Sequence, residues 1–228
     1  MEKKTGLNWW CNRAWIYFGT CISIVMMVVI LINWNSWSDA LKVMAAIAML
    51  IPIHVIEEWV FPGGFHYQYN TFMYKSDQPD RYPMCRVSDM ITNLGATFMY
   101  IAFTIIFATG GGDVNTGIIM GSIGFCALEL ILHVGFGTAA YFRFRKQGKK
   151  TIYGPGTITC FWGFVPFGII LIYEMQGRTI TGADWGWCAF VLCMIAFVWI
   201  LIPENLIKKK NNKYFFASHG YYDRYLKK

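Results

Sequence analysis

Six apolar stretches dominate this chain, at residues 14–34, 40–61, 88–109, 114–142, 153–173 and 185–202. Most are near or above the ~20 mainly apolar residues that a helix needs to cross a bilayer. In hydrocarbon a backbone must satisfy its own N–H and C=O groups, which only helices and closed barrels achieve. Continuous runs of this length select the helix. The expected fold is all-α, a transmembrane bundle of six spans. These spans occupy most of the 228 residues, so residues 1–228 form one domain with no room for a separate soluble unit. With 56% hydrophobic and only 14% charged residues, the chain fits neither an ordinary soluble enzyme nor a disordered segment.

The net charge of +7 reads as topology rather than as affinity for nucleic acid. With six spans, alternate connections fall on opposite sides. One side collects Lys3, Lys4 and Arg13, then Lys75, Arg81 and Arg86, the basic loop Arg143–Lys150, and the tail from Lys208 to Lys228. The other side holds Lys42 and Arg178. The positive-inside rule then puts both termini in the cytoplasm and the protein in the inner or plasma membrane. Membrane lipids are its expected surroundings. The basic loop suits anionic head groups, and the tail is expected to lie on the membrane surface.

Against this apolar background, Ile53-His54-Val55-Ile56-Glu57-Glu58-Trp59 stands out. It puts one imidazole and two carboxylates near the inner end of the second span. Glu57 and Glu58 follow His54 by three and four residues, so a regular helix shows all three on one side. Ionisable groups inside a span are costly and usually functional. Pro52, just before them, loosens the helix at that turn. The fourth span offers a matching pair, Glu129 and His133, again four apart. At 1.5 Å per residue, His54 and His133 lie about 10 and 12 Å from the inner ends of their helices. The third span adds Asp89 and Asn93 in a polar stripe with Thr97 and Tyr100. Capping by Ser88 and Asp89 explains part of that stripe, but not Asn93 one turn deeper.

Several carboxylates packed together in a low dielectric must be protonated, paired or bound to metal. No Lys or Arg lies in the inner halves of these spans to pair with them. His54, Glu57, Glu58, Glu129 and His133 are therefore candidate ligands for zinc, iron or manganese. A glutamate among Glu57, Glu58 and Glu129 would be left as general base, with Asp89 and Asn93 as substrate contacts. The spacing chooses no metal. Three other readings stay open: a metal-free acid–base isomerase of a sterol- or isoprenoid-like substrate, a proton-coupled transporter, and polar residues that only knit the bundle. Gly154-Pro155-Gly156 enters the fifth span at the same depth and is expected to border the site. His66, in the aromatic loop after the second span, reads as a solvated histidine. The seven cysteines are odd in number, lie mainly in spans and form no CxxC, so they read as buried small hydrophobes.

At His54-Val55-Ile56-Glu57-Glu58 the sequence resembles the HXXEE family of small multi-span bacterial membrane proteins, named for this motif. The resemblance implies a role for His54, Glu57 and Glu58. It implies no activity, because the family has none established. The expectation is a membrane-embedded, metal-dependent site opening toward the cytoplasm and acting on a lipid-like or other apolar small molecule.

Overall fold

The computed structural model describes residues 6–226, so Lys3, Lys4, Lys227 and Lys228 of the charge pattern lie outside the described residues. Six helices are long and apolar enough to cross a membrane: α1 (Gly6–Ile32), α2 (Asp39–Val60), α3 (Arg86–Thr109), α4 (Thr116–Gln147), α5 (Thr157–Glu174) and α6 (Gly182–Ile207). Among the described residues there is no strand. The protein is a multi-pass membrane protein by this architecture.

The ends differ from expectation where the backbone, not hydropathy, decides. Helices α1, α4 and α6 extend beyond their apolar cores, because a helix that carries its own hydrogen bonds continues into polar surroundings. In contrast, α5 begins at Thr157 rather than at 153. Gly156 precedes it with φ of 90°, a left-handed conformation that ends the irregular entry and suits glycine.

Helix α2 is the centre of the bundle: 67% of its apolar window is buried, against 11% for α6. Its Ala40, Ala45, Ala46 and Ala48 let neighbours approach closely. Around it lie Tyr100 and Phe103 of α3, Ile118 and Phe125 of α4, Phe164 and Leu171 of α5, and Val191 of α6. Large apolar side chains such as Ile24, Ile32, Ile105 and Trp162 point outward, as lipid demands.

Helix α6 changes partner along its length. In its first half it lies on α4, where a Cβ on Gly117 or Gly121 would meet the Asp184 backbone or Val191 at 2.2 and 2.6 Å. Further along, Trp199 covers Gly95 of α3, and Thr92 donates to the Trp199 carbonyl at 2.7 Å. The Gly117–Gly121 pair is thus a close helix contact.

The connections are unequal. Three short turns close one face, and Arg178 joins two of them by bonding Asp113 and the Val114 carbonyl, both at 2.9 Å. The opposite face carries both chain ends, the long α2–α3 segment with its short helix Phe65–Gln68, the α4–α5 loop and the tail. The tail does not stand apart from the bundle. It packs beneath the bundle: Phe216 N–H donates to Asp80 O at 2.8 Å, Tyr221 N–H to Gly63 O at 2.9 Å, and Tyr222 Oη to Gln68 Oε1 at 2.6 Å.

His66 belongs to this strap and is not solvated. It is buried, stacks on Phe216 at 3.7 Å and shares the Asp80 carboxylate with His219. Burial holds its imidazole below the ordinary 6.5. A ring buried in its neutral form contributes stability that is complete above pH 6.5 and lost as the pH falls through its lower folded value. Burial pulls Asp80 upward, but hydrogen bonds from His66 and His219 outweigh it and hold the carboxyl below its usual range. Its contribution is lost only at still lower pH. Acid therefore loosens the strap through His66 first. Limited proteolysis near Phe216 should quicken as the pH falls below 6.5, and Asp80→Asn should release the tail at neutral pH. A cleavage rate flat with pH and unchanged in the variant would contradict this.

Candidate metal site

The end of α2 is not a regular α-helix. Residues Ile56–Val60 form a π-helical turn, with Phe61 N–H reaching back to Ile56 O at 2.9 Å. Such wide turns re-aim side chains and often occur at functional sites. Here the two adjacent glutamates are sent to different partners.

Glu58 turns toward α4. Its Oε1 lies 3.3 Å from His54 Nε2 and 3.4 Å from His133 Nε2. Glu129 approaches the same pair from α4, with Oε2 at 3.6 Å from His54 Nε2 and 3.5 Å from His133 Nε2. The two Nε2 atoms are themselves 3.2 Å apart. His54 and His133 are almost fully enclosed, at 3% and 1% exposure.

Glu57, expected among the ligands, is turned toward α5 instead. It accepts from Tyr153 Oη and Ile158 N–H, both at 3.1 Å, and from Thr159 N–H at 2.9 Å and Thr159 Oγ1 at 2.7 Å. The first N–H groups of a helix lack partners within it and favour an anion. Gly156 has no side chain with which to cap α5, so Glu57 of α2 does so.

Each histidine is held through its Nδ1. His133 Nδ1 lies 2.8 Å from the Pro155 carbonyl, which can only accept, so Nδ1 carries the proton. His54 Nδ1 lies 2.6 Å from Thr159 Oγ1. The one Thr159 hydroxyl proton goes to an oxygen acceptor, Glu57 or the Gly156 carbonyl. With the hydroxyl proton directed to either oxygen, His54 Nδ1 is the donor to Thr159 Oγ1. In a neutral ring whose Nδ1 is protonated, Nε2 bears a lone pair. With both rings neutral, two imidazole lone pairs and two carboxylate oxygens converge without a donor among them. Among the described residues, no Lys or Arg forms an ion pair with these carboxylates.

Acceptors this close are held together by a cation or a proton. The spacing of 3.2–3.6 Å is close to the ~3.3–3.4 Å between neighbouring ligand atoms of a tetrahedral ion bound at ~2.0–2.1 Å. His54, Glu129, His133 and Cys160 also offer donor atoms all within 4.8 Å of one another. This largely buried His/Glu/His/Cys group could hold a metal ion.

Asp89 and Asn93 stand beside this centre. Asp89 accepts from the Trp59 indole and, at 2.9 Å, from Asn93 Nδ2. Trp59 follows Glu58, so the pair anchors the far end of the π turn. The irregular α4–α5 loop does border the site, through the Pro155 carbonyl. Phe65 of the α2–α3 segment covers His133, with ring centroids 4.9 Å apart.

Sequence reading missed Cys160, Thr159 and the Pro155 carbonyl. Cys160 resembles the other buried thiols, and a carbonyl bond has no side-chain signature. The Gly-Pro-Gly at matching depth was the only signal.

A sequence profile described as "Protein of unknown function with HXXEE motif" matches residues 43–171. The chain belongs to the HXXEE family. The match runs from within α2 to within α5 and contains every residue of the site. No curated protein and no solved structure matches the chain. In HXXEE terms, the histidine and second glutamate face the site, while the first glutamate caps α5.

A Cβ on Gly156 would lie 2.0 Å from His133 Cε1, and its φ of 90° already disfavours a side chain. Gly156→Ala should push the imidazole aside and destabilise the protein by about 1–3 kcal/mol through overpacking. The check is thermal unfolding in detergent together with the His133 imidazole signal in NMR. An unshifted midpoint and an unmoved ring would refute the assignment.

Proposed function

We propose that this protein is a membrane-embedded, metal-dependent enzyme acting on a lipid-like or other apolar small molecule. The observation that carries the reading is the 3.2 Å approach of two Nε2 atoms whose rings are both hydrogen-bonded elsewhere through Nδ1. His54, His133, Glu58 and Glu129 are the ligands, with Cys160 at their edge. Imidazole and carboxylate suit zinc, iron or manganese, and a nearby thiol weights the set toward zinc. A divalent ion there supplies a Lewis acid and lowers the pKa of a bound water.

The ligands have different surroundings. Glu58 is enclosed and holds its place. The Glu129 side chain is 20% exposed and is the group best placed to meet a substrate and move a proton. Access from the bilayer is supported by the course of α6, which leaves α4 for α3 in the half containing Glu129. Thr159 and Glu57 orient His54, and the Pro155 carbonyl orients His133, as outer partners commonly do for ligating imidazoles.

The same short N–N distance favours one other reading, in which a proton replaces the ion. An imidazole–imidazolium pair would then serve a metal-free isomerase of a sterol- or isoprenoid-like substrate, or a proton-coupled carrier.

Elemental mass spectrometry of the detergent-purified protein separates these readings. Wild type should carry about one transition metal per chain, in keeping with a four-ligand site. The His54→Ala, Glu58→Ala, His133→Ala triple variant should carry none. Glu57→Gln should retain metal, because Glu57 serves α5. Metal-free wild type would overturn the metalloenzyme reading in favour of proton chemistry, which proton flux in liposomes and ligand-binding assays would then divide.

A further inference from the structure

A second site lies on the face that carries the chain ends, apart from the histidine centre. A cavity of about 310 Å³ opens between the start of α1, the end of α2, the start of α3 and the tail. Arg13 and Arg86 line it, together with Asn12 and Ser218, and Trp59 and Phe216 form aromatic wall. None of its lining residues is Asp or Glu. Among the described residues neither arginine has an ion-pair partner. Arg86 spends one nitrogen on Asn8 at 3.0 Å, while its Nε is buried without a hydrogen bond.

Two guanidinium groups facing one cavity without a carboxylate call for an anion. The planar guanidinium fork matches phosphate oxygens, and a cavity between helix ends lies at the depth of lipid phosphates. The same lining includes apolar Ile16 of α1 and Val60 of α2, with Val60 47% exposed. A lining both cationic and apolar fits the phosphate and first chain carbons of an amphiphile better than a free ion.

We propose that this cavity binds the phosphate group of an anionic membrane lipid. The site does not rest on the metal reading, since only Trp59 and Val60 of its lining belong to the turn that carries Glu58. Free phosphate shares the recognition chemistry, so the test must separate the two sources.

The full chain is placed in nanodiscs of phosphatidylglycerol with phosphatidylcholine, released into detergent and weighed by native mass spectrometry. Phosphatidylglycerol should be retained over phosphatidylcholine. Arg13→Gln with Arg86→Gln should weaken that retention at least tenfold while leaving the metal content unchanged. Ala217→Trp, which fills the cavity and keeps both arginines, should cause a similar loss. It also decides the matter if the double variant fails to fold. Equal retention of the two lipids, or retention unaffected by Ala217→Trp, overturns the proposal. Displacement of phosphatidylglycerol by millimolar inorganic phosphate overturns the lipid assignment and leaves a free-phosphate site.

Discussion

Two imidazole rings meet edge to face within the bundle, each with its outer nitrogen hydrogen-bonded away from the meeting point. The rest of the local structure makes that meeting tolerable. Two lone pairs and two carboxylates in a low dielectric repel one another, and isolated burial of such groups costs several kcal/mol. The protein holds them there with Thr159, the Pro155 carbonyl, the Glu57 cap and a shield of aromatic rings. Such a concentration of acceptors has no value for packing, because an apolar replacement of similar volume is often at least as stable.

The family motif has a physical explanation in this arrangement. Two adjacent glutamates cannot both serve one centre from a regular helix without crowding it. The π turn at Ile56–Val60 separates their directions, so Glu58 joins the histidines and Glu57 satisfies the start of α5. Glu57 also reaches His54 through Thr159. One carboxylate thereby holds both the start of a helix and the hydroxyl that bonds a ring.

Much of the fold was legible because span length, hydropathy and turn residues follow from bilayer thickness, which the chain cannot evade. His54, Glu58, Glu129 and His133 were legible for a related reason: an ionisable group in a span needs a partner, and matching depth on two helices suggests which. Glu57 was legible as important but not in direction, since a π turn has no reliable signature in sequence. Cys160 was hidden among six similar thiols. His66 was misread because the tail that buries it comes about 150 residues later, and no local pattern joins them.

The connections between helices set limits on movement. On one face the turns are short, and Arg178 ties the α3–α4 and α5–α6 connections together. All the long connections lie on the other face, around the histidine centre. A bundle clasped at one end opens like a purse and not like a rocker. Carriers that work by exposing a central site to each side in turn need both ends free to part. Parting of the helices is thereby left to the face that carries the long connections, while the opposite face stays gathered by Arg178.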